Sequence, residues 1–478
     1  MQAAVRGTGN GHGNESPGDG APQAKGAAHA KGTALRRVIA GSVVGTALEW
    51  YDFFIYGTAA ALVFGDLFFN DKAGSGVGTL AAFATFGVGF AVRPSGGVLF
   101  GSMGDRIGRR ETLIVTTLLM GIATGIIGLL PTYATIGIWA PILLTLMRVC
   151  QGLGAGAEFG GASTLLAEHA PKERRGFYGS FSQLGVQIGL VLATAVFLLV
   201  SQLPEDQLHA WGWRIPFLLS FLMIFVTLYF RLRVEESPVF ESLRANRKVV
   251  KLPIVETIKR YPRSVLVGIG AHIADTAVIY IYIAFSVAYM TDELDVSKTT
   301  ALLAIVLAGL LVIGLQPVYG ALSDRIGRRP LNLWSVCFTA LYAFPFWLLI
   351  NTGEPVLIFL AMAIGLGVGL GPMIAVQGAF YAELFGANVR YTGFAGSREL
   401  GAALVGFSPT LSAALLGWGG GDPWLVALWM IFACLVSLVA FLASAETKDV
   451  DIGAEDPEQE AIVAAPAIRQ QEAAGSAR

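Results

Sequence analysis

One stretch of this sequence occurs twice, as Gly101-Ser-Met-Gly-Asp-Arg-Ile-Gly-Arg-Arg110 and as Gly320-Ala-Leu-Ser-Asp-Arg-Ile-Gly-Arg-Arg329. A weaker pair follows the two copies at nearly the same spacing: Ala167-Glu168 with Arg175-Gly-Phe177, and Ala382-Glu383 with Arg390-Tyr-Thr-Gly-Phe394. Repeats that run in the same order along a chain predict two similar halves in the same orientation.

Long apolar stretches surround both copies of the repeat. The composition is 54% hydrophobic and 14% charged, with a mean hydropathy of +0.62, which is typical of a membrane protein and not of a soluble domain. A bilayer core requires about 20 apolar residues per helix, and backbone groups in lipid must be hydrogen-bonded internally. The sequence predicts twelve such helices, at 38–66, 79–101, 111–131, 138–166, 176–201, 213–232, 263–291, 299–322, 331–351, 355–383, 391–417 and 424–445.

The basic residues predict the orientation of these spans. Of the 33 Lys and Arg residues, only Lys72 and Lys298 fall in predicted outer loops, so we expect a multi-pass cell-membrane protein with both termini in the cytoplasm. The first residues, rich in Gly and Ala and broken by Pro17 and Pro22, predict disorder. The predicted fold is all-α, with two pseudo-symmetric six-helix bundles. Its parts are a disordered tail 1–35, a bundle 36–232, a cytoplasmic linker 233–262, a bundle 263–445 and a cytoplasmic tail 446–478 with no assigned role.

Composition and motifs argue against several classes of function. A net charge of -1 gives no basic surface for nucleic acid. The cysteines and histidines lack the spacing of a metal site, and there is no HExxH motif or phosphate-binding loop. A membrane-embedded sensor or enzyme is a weak alternative, because the longest internal loop is too short for a catalytic domain. We therefore expect no enzyme activity, no metal and no cofactor other than a coupling ion.

The repeated Gly-x-x-x-Asp-Arg-x-Gly-Arg-Arg motif resembles the signature loop of the major facilitator superfamily. Further segments resemble its metabolite:proton symporters, which include carriers of shikimate, α-ketoglutarate, citrate, and proline or betaine. These segments are Glu49-Trp-Tyr-Asp-Phe-Phe-Ile-Tyr-Gly57, Gln151-Gly-Leu-Gly-Ala-Gly-Ala-Glu-Phe-Gly-Gly161 and Trp211-Gly-Trp-Arg-Ile-Pro-Phe217. In Ser397-Arg-Glu-Leu-Gly401 an ion pair replaces the uncharged Gly-Tyr-Gln of the usual pattern.

The resemblance implies a twelve-helix carrier that takes up a small organic acid with a proton by alternating access, with the substrate between the halves near the bilayer midplane. The alternative within transport is a symporter of a zwitterionic osmolyte such as proline or betaine. Coupling to sodium and transport in the outward direction remain open. We expect a monomer in the lipid bilayer with no obligatory protein partner.

Ionisable residues inside predicted spans are functional candidates, because a charge in a bilayer is costly. Asp52 and Arg148 lie at overlapping depths, and we predict that they pair as a coupling device. A movement of Arg148 toward an anionic substrate would let Asp52 take a proton; the alternative is a static ion pair. Glu49 is a rival proton carrier, Glu158 serves coupling or helix contact, and Asp275 serves proton or substrate binding.

A carboxylate substrate requires a buried cation, and the preferred candidates are Arg148 and Arg398. Glu399 leaves a helix about 100° away from its neighbour Arg398, so we expect Glu399 to pair elsewhere. His272 is a weaker candidate. Six further side chains are predicted to donate hydrogen bonds to substrate: Tyr51, Tyr56, Gln183, Gln187, Gln377 and Tyr381.

The repeated loops predict a cytoplasmic gate. We expect Asp105 to meet the positive amino end of a neighbouring helix, the span 391–417. Arg93, just before Pro94, is predicted to serve a gate or a structural role. The other predicted gate residues are Arg106, Arg109, Asp324 and Arg328, with the pairs Glu168 to Arg174 or Arg175 and Glu383 to Arg390.

Overall fold

The computed structural model describes residues 20–69, 77–233, 236–245 and 253–453, which form helices joined by short turns. We number the twelve long helices of these residues α1 Gly20–Ala59, α2 Val77–Ile107, α3 Arg109–Ile127, α4 Trp139–His169, α5 Arg175–Val200, α6 Arg214–Arg231, α7 Pro262–Asp292, α8 Lys298–Ile326, α9 Arg328–Ile350, α10 Pro355–Leu384, α11 Arg390–Trp418 and α12 Trp424–Ala443. The connection from α6 to α7, predicted only as a linker, contains two short helices, Pro238–Ala245 and Pro253–Arg260.

Eleven of these helices are long and apolar enough to cross a membrane. The twelfth, α2, has the length of a membrane span, contains Arg93 and Pro94, and packs closely against α4 and α11. The prediction of an all-α, twelve-helix membrane fold is confirmed.

The beginning of α1 differs from the prediction. Residues 1–35 were expected to be disordered, but α1 begins at Gly20; residues 1–19 lie outside the described part. Pro22 falls in the first helical turn, where proline costs little. Ala-rich sequence extends an existing helix at little cost, because elongation avoids the unfavourable step of nucleation.

Glycines set how closely helices approach within the first bundle. A Cβ atom on Gly156 of α4 would lie 2.1 Å from the carbonyl oxygen of Arg93 on α2. A Cβ on Gly152 would lie 2.3 Å from the carbonyl oxygen of Gly89. Only a glycine fits such a crossing, so the Gly-rich end of α4 determines the position of α2.

The two bundles meet along two symmetry-related helix pairs. On α2, Gly101 lies against the backbone of Thr392 on α11. In the equivalent place, Gly176 of α5 lies against the carbonyl oxygen of Gly320 on α8. Each bundle therefore contributes one helix to each pair, and any opening between the bundles must separate both.

Candidate functional site

A central cavity lies between the bundles, lined by α1, α2 and α5 from the first and by α7, α10 and α11 from the second. Its volume is about 30 Å³. A volume of that size holds a water molecule or two. An organic solute can enter only if the bundles move apart.

One wall of the cavity is aromatic. It consists of Trp50 on α1, Phe90 on α2 and Tyr280 on α7. The rings of Phe90 and Tyr280, from different bundles, have centroids 5.4 Å apart and meet edge to face. The polar wall includes Gln183 and Gln187 of α5, both of which the sequence predicted as substrate-binding residues.

Four charged side chains join the bundles beside this cavity. Nη2 of Arg93 on α2 donates to Oε1 of Glu49 on α1 at 2.8 Å, and its Nε donates to Oε2 of Glu399 on α11 at 2.6 Å. Oε1 of Glu399 accepts from Nη1 of Arg398 at 2.6 Å. Arg93 is therefore the centre of a bridge between the bundles.

The contact between Arg398 and Glu399 corrects a prediction. Their directions on the helix were expected to keep them apart, yet the side chains meet because both are long enough to bend into the same cavity. Glu399 does also pair elsewhere as expected, with Arg93.

Three polar atoms of this network have no hydrogen-bond partner among the described residues: Arg93 Nη1, Arg398 Nε and Glu49 Oε2. A buried polar group without a partner is costly. Arg93 and Arg398 are 1% and 3% exposed and both line the cavity. Two such guanidinium donors are suited to bind an oxyanion such as a carboxylate.

A second polar chain crosses the cavity. Oδ1 of Asp275 on α7 lies 2.8 Å from Nδ1 of His272. Gln377 of α10 donates its amide to the other Asp275 oxygen, and its own oxygen accepts from Gln183 of α5 at 2.9 Å. The structure thus brings together Asp275, Gln377 and Gln183, three residues that the sequence predicted separately.

The predicted ion pair of Asp52 and Arg148 is wrong as a direct contact. Asp52 accepts hydrogen bonds of 2.6 Å from Thr124 on α3 and Ser220 on α6. Arg148 donates to Gln151 at 2.9 Å, and Gln151 donates to Thr124 at 2.6 Å. Counting residues gave the depth of the two groups in the membrane but not the direction in which each leaves its helix. In the structure Gln151 and Thr124 lie between them and connect them by hydrogen bonds.

Three predicted tyrosines hold helices together. Tyr51 donates to a carbonyl at the start of α6 at 2.8 Å. Tyr381 donates to a carbonyl of α7 at 2.5 Å. The ring of Tyr56 lies under the guanidinium of Arg148, 4.1 Å from its centroid. These contacts occupy the polar atoms and faces that were predicted to bind substrate.

Glu158 anchors α4 to its neighbours. It forms an ion pair with Arg231 of α6 and accepts a hydrogen bond of 2.8 Å from Thr116 of α3. These contacts agree with the predicted role of Glu158 in helix contact. Its role in coupling remains a prediction. Arg231 was missed because it ends its predicted span, where basic residues normally face the cytoplasm.

Asp105 meets α11 as predicted. Its carboxylate accepts from the backbone N–H groups of Tyr391 and Thr392, at 3.3 and 2.8 Å, in the first turn of α11. Asp324 makes the equivalent contact, accepting from the N–H groups of Gly176 and Phe177 in α5 at 2.7 and 2.8 Å. The amino end of a helix stabilises a carboxylate.

Two predicted gate pairs are wrong because their arginines are exchanged between the bundles. Glu168 pairs with Arg390 of the other bundle at 2.7 Å and with Arg109 at 3.4 Å. Arg174, its predicted partner, is exposed, as is the predicted gate residue Arg106.

The second bundle repeats this arrangement. Glu383 pairs with Arg328 of its own bundle at 3.1 Å and with Arg175 of α5 at 3.5 Å. The exchange occurs because α5 and α11 each begin beside the opposite bundle. Their first residues, Arg175 and Arg390, therefore lie next to a carboxylate of that bundle.

Two carboxylates beside the predicted gate residues were missed. Glu236, after α6, accepts from the N–H groups of Arg109 and Arg110 at 3.1 and 3.2 Å. Glu446, after α12, accepts from those of Arg328 and Arg329 at 2.8 and 3.0 Å. The sequence contained a sign of these two carboxylates. Each half has a Glu followed by Ser or Thr after its last helix, Glu236-Ser237 and Glu446-Thr447, which is a further element of the internal repeat.

The segment after α12 also contacts arginines of this cytoplasmic cluster. Arg175 donates to the carbonyl of Val450 at 3.1 Å, and Arg390 donates to the carbonyl of Ile452. The sequence assigned no role to the tail that begins at Glu446; in its part 446–453 Thr447, Val450 and Ile452 are buried, and the last two supply these carbonyls to the arginines. Residues 454–478 lie outside the described part.

A sequence model of the Major Facilitator Superfamily matches residues 42–406 and, in a second match, residues 267–472. The chain belongs to the major facilitator superfamily. As a member, it is a multi-pass membrane transporter of small molecules and not an enzyme.

Relatives of this transporter span nearly its whole length. The shikimate transporter of Escherichia coli K12 is 39% identical over 422 residues, 86% of this chain and 95% of the relative. The inner membrane metabolite transport protein YhjE of the same strain is 40% identical over 427 residues, 86% and 94% of the two chains. The proline/betaine transporter of that strain is 35% identical over 425 residues, 87% and 84% of the two.

Solved structures of the xylose transporter XylE share the fold. A double-tryptophan variant superposes with a TM-score of 0.71 at 18% identity, over 88% of this chain and 98% of that one. The inward-open conformation from E. coli gives 0.62 at 17% identity, over 88% and 99%.

Proposed function

We propose that this transporter takes up a small organic acid, shikimate-like or another mono-, di- or tricarboxylate, together with a proton. The observation that carries the proposal is a pair of guanidinium atoms beside the central cavity, Arg93 Nη1 and Arg398 Nε, that have no hydrogen-bond partner in the part of the chain that the structure describes. One belongs to each bundle, so a carboxylate held by both contacts the two moving parts of the protein. The shikimate transporter among the relatives supports the same class of substrate.

Charge balance explains why a proton accompanies the acid. Arg93 and Arg398 line the cavity together with the carboxylates Glu399 and Asp275, and Arg93 also pairs with Glu49. Carboxylates already outnumber guanidiniums, and another anion in a region of low dielectric would be strongly repelled. Protonation of one carboxylate lowers that repulsion, and a monovalent acid bound with one proton leaves the charge of the site unchanged; each further carboxylate of a di- or tricarboxylate would need a further proton for the same balance.

Alternating access follows from the two ends of the bundle interface. Contacts of Asp105 with α11 and of Asp324 with α5 close the cytoplasmic end. Breaking both sets exposes the cavity to the cytoplasm. We propose that the protein acts as a monomer in the inner membrane, with both termini in the cytoplasm. The two moving domains of the proposal are residues 36–232 and 263–445.

The aromatic wall favours a second candidate, symport of a zwitterion. Trp50, Phe90 and Tyr280 form a surface suited to a quaternary or secondary amine. Asp275 lies on the same cavity and could balance the positive charge. A relative that is a proline/betaine transporter supports this alternative. A zwitterion with one proton carries net charge, whereas a monovalent acid with one proton does not.

Uptake of radiolabelled shikimate into proteoliposomes under an imposed inward proton gradient tests the proposal. α-Ketoglutarate, citrate, proline and betaine compete in the same assay, and a sodium gradient replaces the proton gradient in a parallel series. We expect uptake that collapses with the proton gradient and is inhibited by acids. Asp52→Asn tests the proton carrier predicted from the sequence. Inhibition by proline and betaine alone, or uptake that ignores the proton gradient, would contradict the proposal.

A further inference from the structure

Two adjacent charged residues of α11, Arg398 and Glu399, form an ion pair beside the central cavity. Arg398 and Glu399 are both buried, at 3% and 1% exposed, and both line the central cavity. Burying a charge is costly unless it is paired. A pair of charges placed beside the solute cavity therefore calls for a functional reason.

Glu399 makes the contacts that a solute carboxylate would make. Its two oxygens are divided between Nη1 of Arg398 and Nε of Arg93, at 2.6 Å each. These are the two guanidiniums whose remaining donors, Arg398 Nε and Arg93 Nη1, have no partner among the described residues. Glu399 is thus a carboxylate already bound in the guanidinium site of the cavity.

We propose that Glu399 occupies the place of the solute carboxylate on Arg93 and Arg398, and takes up the coupling proton when the solute displaces it. This inference rests on the proposed organic-acid symport. The proton comes from water on the outer side and binds one oxygen of Glu399. The solute anion takes over the hydrogen bonds of the two arginines. One negative charge replaces another, so the charge facing the arginines is unchanged.

The surroundings of Glu399 decide whether another group could carry the proton instead. The charged and titratable groups that face it are Glu49 on α1, Arg93 on α2, His272, Asp275 and Tyr280 on α7, and Tyr381 on α10. The α4 helix contributes the ring of Phe159, 4.2 Å from the guanidinium of Arg398, while its carboxylate Glu158 is held by Arg231.

Glu399 differs from the other two carboxylates of the cavity. Asp275 accepts a hydrogen bond from the amide of Gln377 and lies 2.8 Å from Nδ1 of His272, and neither contact involves Arg93 or Arg398. Glu49 contacts Arg93 alone, through one oxygen. Only Glu399, within the described residues, bonds to both guanidiniums, so it is the cavity carboxylate with which a solute carboxylate bound by both arginines competes.

Binding of radiolabelled shikimate to the full-length protein in nanodiscs, measured over a range of pH, tests the inference. One proton linked to binding weakens affinity about tenfold per pH unit above the range in which that group is protonated. We expect this slope in the parent protein and in Asp275→Asn. In Glu399→Gln, where the carboxylate that must be protonated is absent, affinity should change less than about twofold over two pH units. Uptake by this variant should no longer require a proton gradient.

Glu399→Gln leaves two buried guanidiniums with less negative charge beside them, so this variant is at risk of misfolding. A double variant keeps the inference testable in that case. Arg398→Tyr with Glu399→Gln removes the ion pair as a unit and should bind shikimate weakly and without pH dependence. If Glu399→Gln or the double variant shows the same pH dependence of binding as the parent protein, the inference is wrong and the proposed function is unaffected. The same holds if Asp275→Asn abolishes the pH dependence. A parent protein that binds neither shikimate, α-ketoglutarate nor citrate overturns the proposed function and the inference together.

Discussion

Removing the charge of Asp324 should shift this transporter toward its cytoplasm-open conformation. In the closed form its two oxygens accept from the N–H groups of Gly176 and Phe177, at 2.7 and 2.8 Å, and Arg328 donates to one of them at 2.9 Å. An Asn side chain has one oxygen to accept with. Its amide group would face the other backbone N–H, so one bond is lost and a repulsive contact replaces it.

The magnitude follows from the bonds that change. A hydrogen bond to a charged group contributes about 1.5–3 kcal/mol, and a carboxylate at a helix amino end about 0.3–1 kcal/mol. The open conformation is less affected, because water replaces these partners around either side chain. At the lower end of both ranges the closed form of Asp324→Asn loses about 2 kcal/mol, which changes the ratio of closed to open protein about 30-fold at 1.36 kcal/mol per factor of ten.

Spin labels on the cytoplasmic ends of the two bundles measure this ratio. Exposed positions Lys172, before α5, and Arg325, at the end of α8, become cysteines in a background without native cysteines. Double electron–electron resonance should show a larger long-distance population in Asp324→Asn. Asp105→Asn, its symmetry mate, should act in the same direction, whereas Glu173→Gln, an exposed carboxylate on the same face, should have little effect. A folded Asp324→Asn protein with the parental distance distribution would refute the reasoning.

Two further changes test the packing and the tail. Gly156→Ala places a methyl group 2.1 Å from the backbone of α2 and should lower the melting temperature in detergent by the equivalent of about 1–3 kcal/mol or more. Gly417→Ala, with nothing within 4 Å of the added atom, is its matched control and should differ from the parent by less than about 0.5 kcal/mol. A chain ended after Ala445 loses the gate contacts of 446–453 and should open to the cytoplasm more than one ended after Gly453; equal distance distributions would contradict this.

The sequence was sufficient to predict features that depend on position along one helix. Apolar length gave the twelve spans, and the repeated loop placed Asp105 at the start of α11. It was insufficient where a contact depends on rotation about a helix or on which bundle supplies the partner. Asp52 and Arg148 had the right depth but faced different neighbours. Glu168 was assigned an arginine of its own bundle, although α11 supplies the one it binds.

The proposed displacement of Glu399 acts on the same two helices that close the cytoplasmic side. Arg93 of α2 bonds to Glu399 of α11 at the cavity, and Asp105 of α2 bonds to the first turn of α11 at the cytoplasmic end. The two contacts lie about 18 Å apart along α2, at 1.5 Å per residue. A solute that takes Arg93 away from Glu399 replaces the direct bond between α2 and α11 with a link through the solute itself, and that link is lost when the solute leaves for the cytoplasm, so less then holds α2 and α11 together. In Glu399→Gln that charge-assisted bond is weakened even without solute, and we expect the same spin-label pair to report a larger open population. An unchanged population in that variant would show that the cavity and the gate are not coupled through α2 and α11.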